Sequence, residues 1–148
     1  MIIAVESWDQ IKDEFIALSV DHYREIALNQ DKIPLDPDYD KYKSMGDNHS
    51  MIFISVRDNG KLIGYAFWMI CQHLHYKSTR WAYNDIIYLD PKYRRSGLGL
   101  KLIKASEQVM IDAGAKKIAW HVKVTNDWTP ILARLGYIKE DIVMGKVL

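Results

Sequence analysis

The chain has a single cysteine, Cys71, in 148 residues, so no internal disulfide can form and the fold must rest on its core. A reducing compartment, the cytoplasm, suits such a chain. No apolar run approaches the roughly 18 residues that a membrane span needs. The opening Met1-Ile2-Ile3-Ala4-Val5-Glu6 lacks the basic-then-apolar order of a secretion signal. Neither sign of charge prevails: 20 basic against 19 acidic residues leave a net charge of +1. That balance excludes broad electrostatic binding to nucleic acid or to a membrane surface. Proline is scarce, and the four present (Pro34, Pro37, Pro91 and Pro130) fall at breaks between elements. No internal repeat or low-complexity segment occurs. His73 and His75 are two apart, but no Cys/His/Asp/Glu set with ligand spacing joins them, so a metal site is rejected.

What the chain does have is a real core. Apolar residues make up 49%, enough at this length for one domain spanning residues 1–148. Residues 1–5 read as a strand. Ser7 and Gln10 form a capping-box signature, and Trp8, Ile11, Phe15, Leu18, His22 and Ile26 then recur at three and four residues, the stripe of an amphipathic helix. A loop around Pro34 precedes a short helix over 37–45. Met51–Arg57 and Lys61–Gln72 read as strands joined by an Asp58-Asn59-Gly60 turn, and Leu74–Arg80 as a connection to a third long strand, Trp81–Leu89. A helix over Leu98–Ala113 stops at Gly114. Lys116–Val124 reads as a strand, Asp127–Leu135 as a short helix, and Tyr137–Leu148 as a closing strand. The sum is an α/β (α+β) layer structure with a mixed, mostly antiparallel central sheet of about six to seven strands and about four helices. Cys71 follows Phe67-Trp68-Met69-Ile70 and is expected to be a buried thiol.

The most informative stretch is Tyr88-Leu89-Asp90-Pro91-Lys92-Tyr93-Arg94-Arg95-Ser96-Gly97-Leu98-Gly99-Leu100-Lys101. A strand ends at Pro91, two arginines and two glycines follow, and a helix begins at once. Glycine lets a ligand approach the backbone without meeting a Cβ. The helix start adds unpaired N–H groups and the positive end of its dipole. Together these form a cradle for a diphosphate. A Walker loop would continue Gly-Lys-Ser/Thr, and a dinucleotide fingerprint would carry a third glycine where Leu102 stands.

The pattern Arg94-x-x-Gly97-x-Gly99, with its Asp90-Pro91-x-Tyr93-Arg94 lead-in, resembles the acyl-CoA loop of the GNAT superfamily of N-acetyltransferases. Ala133-Arg134-Leu135-Gly136-Tyr137 is similar to a second motif of that family, and the order of elements matches it along nearly the whole chain. The resemblance implies a sheet whose central strands splay apart to admit pantetheine, pairing with backbone at Leu89 and Tyr88. It implies acetyl-CoA as donor, with its pyrophosphate on the main-chain amides of Arg95, Ser96, Gly97, Leu98, Gly99 and Leu100, and charge from Arg94 and Lys101. Asn126 resembles the asparagine that meets the pantetheine arm, at a spacing to Gly136 one residue shorter than usual. The acceptor implied is a primary amine of a small molecule or protein, and the enzyme a monomer or homodimer.

A protonated amine needs a base before it can attack. Asp85 is the first candidate, on the central strand six residues before Pro91, where many family members carry a glutamate. Alternation puts it on one face with Tyr83 and Ile87. His121, on the strand across the gap, is the second. One departure stands out: Leu132 occupies the position of the family's thiolate-protonating tyrosine and has no proton to give. A non-catalytic acyl-CoA-binding module is therefore the alternative reading.

Overall fold

Three long segments of alternating character build a sheet, and the helical stripes cover its two faces. The computed structural model describes all 148 residues. The order is β1 (Ile2–Glu6), α1 (Trp8–Ile26), α2 (Tyr39–Asp47), β2 (Met51–Asp58), β3 (Lys61–His73), β4 (Tyr76–Leu89), α3 (Leu98–Asp112), β5 (Lys117–Ala119) and α4 (Thr129–Arg134). The five strands lie side by side in chain order. All neighbours are antiparallel except β4 and β5, which run parallel.

Helix α1 starts where Gln10 reaches back to accept the Ser7 N–H at 2.8 Å. Its stripe of Trp8, Ile11 and Phe15 packs on Phe53, Leu62, Tyr65, Phe67 and Tyr88. Phe15 lies 5.0 Å from the Tyr65 ring and 4.7 Å from Phe67, the tilted contacts that aromatic quadrupoles favour. Helix α3 covers the other face, setting Leu98, Leu102 and Met110 against Ile54, Val56, Ile63, Ala66, Trp68 and Ile70. Two separate cores thus sandwich β2–β4. Beyond His22, the α1 stripe fades at Ala27 into an irregular segment that leads to α2.

Four local expectations are corrected. The sheet has five strands where six to seven were expected, because Tyr137–Leu148 joins no ladder. Ile138, Ile142, Val143 and Met144 in that tail stay exposed. The stretch 74–80 is no connection: His73 faces Tyr76, so β3 and β4 meet in a tight hairpin. Its polar side chains fit a strand because this end of the hairpin projects past both helical layers. For the same reason Cys71, near the end of β3, is exposed rather than buried. Last, β5 covers only three residues of the strand expected over Lys116–Val124, since it loses its neighbour, as described below.

His22 is buried beneath α1 and shares a 2.8 Å hydrogen bond between its Nδ1 and the Tyr65 hydroxyl, with the Tyr88 ring 4.8 Å away. Burial pushes its pKa down to about 4, against a weaker upward pull from Glu25. The folded protein therefore holds His22 neutral while the unfolded chain protonates it between pH 6.5 and about 4. Stability falls as pH drops through that window, by up to about 3 kcal/mol from this group. The His22→Phe variant leaves the Tyr65 hydroxyl unpaired, so its Tm is lower at pH 7. It falls less steeply between pH 6.5 and 4 than the parent's; equal slopes in thermal melts would contradict this role for His22.

Candidate active site

The site begins where the sheet opens. Strand β4 pairs with β5 only at Trp81–Lys117, Ala82–Ile118 and Tyr83–Ala119. It then runs on to Leu89 with no neighbour on that side. A bulge marks the point of divergence: Phe67 of β3 faces Ile86 and Trp68 faces Asn84, so Asp85 is an extra residue in β4. Bulges bend a strand and sharpen its twist, which turns β4 away from β5. The buried Asn84 amide pins the bulge by donating to the carbonyls of Phe67 (3.2 Å) and Ile86 (3.0 Å).

The bulge also resets the alternation. Asp85 stays with Tyr83 on the α1/α2 side, where it meets Tyr42, while Ile87 packs against the α3 core. The expectation that all three share a face fails for that reason. The Asp90 N–H donates to the Ile63 carbonyl at 2.8 Å, which fixes which backbone groups face β3. By that parity Tyr88 turns its amide and carbonyl toward β3, and Ile87 and Leu89 turn theirs into the opening.

At the end of β4 a single 3₁₀ turn, Pro91–Tyr93, delivers the chain to the glycine loop. Gly97 caps α3 at φ +76°, a left-handed conformation that a side chain resists. The Ser96 hydroxyl donates to the Tyr93 carbonyl at 2.6 Å and holds the turn. The backbone N–H groups of Arg95, Gly97, Gly99 and Leu100 have no backbone partner, and they sit where a helix N-terminus leaves donors free. A Cβ added to Gly99 would meet only Leu89 Cδ2, at 4.0 Å, so the space above those amides is open. Leu98 is buried under the loop, while Leu100, Arg95 and Lys101 are exposed. Neither Arg95 nor Lys101 joins an ion pair.

Arg94 is engaged differently. Both its terminal nitrogens donate to Glu25 of α1, at 2.6 and 2.7 Å, and its Nε donates to the Leu89 carbonyl at 2.7 Å. Its guanidinium also lies 5.4 Å from the centre of the Tyr88 ring. Such a two-pronged pair is strong and oriented, and it straps α1 to the loop. Glu25 further accepts from Asn126 Nδ2 at 3.5 Å, so Asn126, in the loop after β5, reaches the same carboxylate.

Asp85 is half-buried, and the Tyr42 hydroxyl lies 3.5 Å from its Oδ2. Tyr42 cannot drift, being stacked on Trp8 at 5.1 Å and wedged against Phe15 and Phe67. Burial raises the pKa of Asp85, and the Tyr42 hydrogen bond and the charge of His121 oppose it in part. His121 is exposed, two residues past the end of β5, with its ring nearly parallel to Tyr83 at 6.4 Å. The two candidate bases thus share a face of the sheet, Asp85 on β4 and His121 across the opening, just past β5. Leu132 of α4 is buried. No set of three or more His, Cys, Asp or Glu residues is grouped to hold a metal ion. Sequence reasoning missed Glu25, Tyr42 and Ile87. The first two are polar residues on helices with no local signal of a distant partner, and the third acts through its backbone.

The arrangement offers a diphosphate a cradle of free amides, offers an extended arm an unpaired strand edge, and sets a half-buried carboxylate at the far end. Comparisons with known proteins give the family and the fold. Residues 13–137 match the model of the acetyltransferase (GNAT) family. No curated protein matches the sequence. Among solved structures, the chain is similar to an aminoglycoside acetyltransferase from an uncultured soil metagenomic sample, in complex with sisomicin (16% identity, TM-score 0.76, 99% of this chain and 95% of that one). It is also similar to a ribosomal-protein-alanine N-acetyltransferase from Brucella melitensis (15%, 0.72, 100% and 99%). A third neighbour is a predicted acetyltransferase from Clostridium acetobutylicum with acetyl-CoA (14%, 0.71, 99% and 95%). At such identities the structural likeness speaks to the fold, and the family match, over most of the chain, speaks to descent. The chain belongs to the acetyltransferase (GNAT) family.

Proposed function

We propose that the chain moves an acetyl group from acetyl-CoA to a primary amine by direct attack within a ternary complex. The observation that carries this reading is one continuous path. Unpaired amides at Gly97, Gly99 and Leu100 lead onto the open edge of β4, and that edge leads back to Asp85. The pyrophosphate rests on those amides and on Arg95 N–H, with the uncommitted charges of Arg95 and Lys101 beside it. Arg94, held by Glu25, keeps the loop in place and guards the Leu89 carbonyl. The pantetheine arm pairs with the backbone of Leu89 and Ile87, and Asn126 meets it from the opposite side. The names of two neighbours, an aminoglycoside acetyltransferase and a ribosomal-protein-alanine N-acetyltransferase, span small-molecule and protein acceptors.

In the reaction, the acceptor arrives as an ammonium and gives a proton to Asp85, directly or through water, with His121 the alternative base. Its nitrogen then attacks the thioester carbonyl carbon, the C–S bond breaks, and the second N–H proton passes to water or to the departing thiolate. The thiolate leaves without a proton from position 132, because thiol pKa values stand only about two units above neutrality. Burial raises the pKa of Asp85, which makes it a better proton acceptor than a solvated carboxylate. Rate comes mainly from holding the two reactants together in the cleft, worth up to about 7–11 kcal/mol in favourable cases. The buried Leu132 is what favours the second reading, an acyl-CoA-binding module without catalysis. Transfer to a panel of amines separates the two.

Three outcomes test the proposal. Gly99→Glu places a carboxylate in the open space above the free amides while leaving the fold intact, so acetyl-CoA no longer raises its Tm; an undiminished rise refutes the cradle. Asp85→Asn keeps the shape but loses the base. Turnover drops about 10²–10⁴-fold with cofactor affinity little changed, and the acidic limb of the pH–rate profile disappears. Turnover within a few-fold of the parent moves the role to His121 or to water. Finally, Cys71→Ala remains active, and double-reciprocal plots against both substrates intersect. Parallel lines, with acetyl trapped on Cys71 when the amine is omitted, overturn direct transfer.

A further inference from the structure

Past the end of α1 and α2, the sheet face that carries Asp85 is left uncovered, and aromatic rings tile it. His73 lies 4.3 Å and Tyr76 5.7 Å from the Trp81 ring, at the tip of the β3–β4 hairpin. Trp81 is 5.8 Å from Tyr83, and Tyr83 is 6.4 Å from His121. All five rings are at least partly exposed. Isolated exposed rings need no explanation, but a continuous row running across β3, β4 and the segment after β5 to a half-buried carboxylate does. Helix α2 is not part of the row: Tyr42 belongs to the core and meets Asp85 from the other end. Both signs of charge border the row: Lys117, paired with Glu140, sits 4.2 Å over Trp81, and Asp141 lies near Tyr83.

We infer that this row is the acceptor subsite, and that the acceptor is a primary amine borne on a molecule of two linked rings. The inference rests on the acetyltransferase reading above and adds the substrate class. Flat ring faces bind either the C–H face of a sugar or the face of an arene, and their negative quadrupole also attracts an ammonium. Strand geometry sets the length. At about 3.3 Å per residue, Tyr83 lies about 7 Å and Trp81 about 13 Å along β4 from Asp85. An amine delivered to Asp85 therefore sets its own ring on Tyr83 and His121, and a second ring on Trp81. A linear polyamine would satisfy the carboxylates but leave the ring faces unused. A peptide amine would gain little from the Trp81 end of the row.

The test compares four acceptors: glucosamine, the β-1,4-linked glucosamine dimer, tryptamine, and the linear amine spermidine, with a short unblocked peptide as a fifth arm. The expected order of kcat/KM places ring-bearing amines first, and the dimer or tryptamine arm tells sugar from arene. Tyr83→Ala raises KM about tenfold for both glucosamine and its dimer. Trp81→Ala raises it about tenfold for the dimer and less than twofold for glucosamine. Both variants keep the parent's acetyl-CoA-induced rise in Tm, so loss of the cofactor site is told apart from loss of the acceptor site. Cys71 provides a readout that needs no turnover. It is exposed and directly opposite Trp81 in the ladder, so the dimer or tryptamine slows its alkylation by iodoacetamide several-fold. Spermidine or the peptide proving the better substrate, or alkylation unaffected by any ring-bearing amine at millimolar concentration, would overturn the inference. If acetyl-CoA fails to stabilise even the parent, the acetyltransferase reading falls, while the alkylation result still decides the subsite.

Discussion

The kink in β4 is the constraint from which the functional half of the molecule follows. A central strand packed on both faces keeps its pairing on both edges unless something turns it aside. Here one added residue, Asp85, breaks the match with β3, and the Asn84 side chain converts that break into a fixed bend through two backbone carbonyls. The bend opens a gap without unfolding anything, because β3 continues to satisfy the other edge of β4 through to Leu89. It also lifts Asp85 into contact with Tyr42 instead of leaving it in register. Opening and carboxylate thus have one cause.

Rigidity around the gap is supplied by the α1 side. The aromatic cluster of Trp8, Phe15, Tyr42, Phe53 and Phe67 fixes α1 and α2 against the sheet. Further along α1, Glu25 ties down Arg94 and, through it, the carbonyl of Leu89. The glycine loop is consequently held at both ends, by the buried Leu98 under α3 and by the Arg94 strap, although its own backbone makes few hydrogen bonds. A loop with unpaired amides would otherwise be a soft spot.

Much of this was legible in the chain itself, for identifiable reasons. The capping box at Ser7 and the stripe through Ile26 carry their own periodicity, so the start of α1 and its buried face could be read, while its end at Ile26 comes before the fade expected near Asn29–Lys32. The glycine loop could be read because a one-residue spacing of Gly97 and Gly99 after a strand has few uses. The bulge could not, since an inserted residue looks like any other member of an alternating run until its partner strand is known. Cys71 was misjudged because burial was inferred from its apolar neighbours, while the hairpin carries it beyond the helices. The Tyr137–Leu148 tail has strand-like composition, yet strand propensity is realised only beside a partner, and it finds none. The Glu25–Arg94 strap joins residues far apart in sequence, and neither carries a local sign of the other.

The brevity of β5 has a further effect. In a sheet ordered β1 to β5, its outer side is one of two exposed edges, and such edges template the pairing of foreign strands into aggregates. Three residues present only about 10 Å of ladder, with Lys116 before them and Lys117 the first of them, too short and too charged to seed a lasting intermolecular sheet. The divergence that opens a gap between β4 and β5 therefore also keeps that edge from offering a long template.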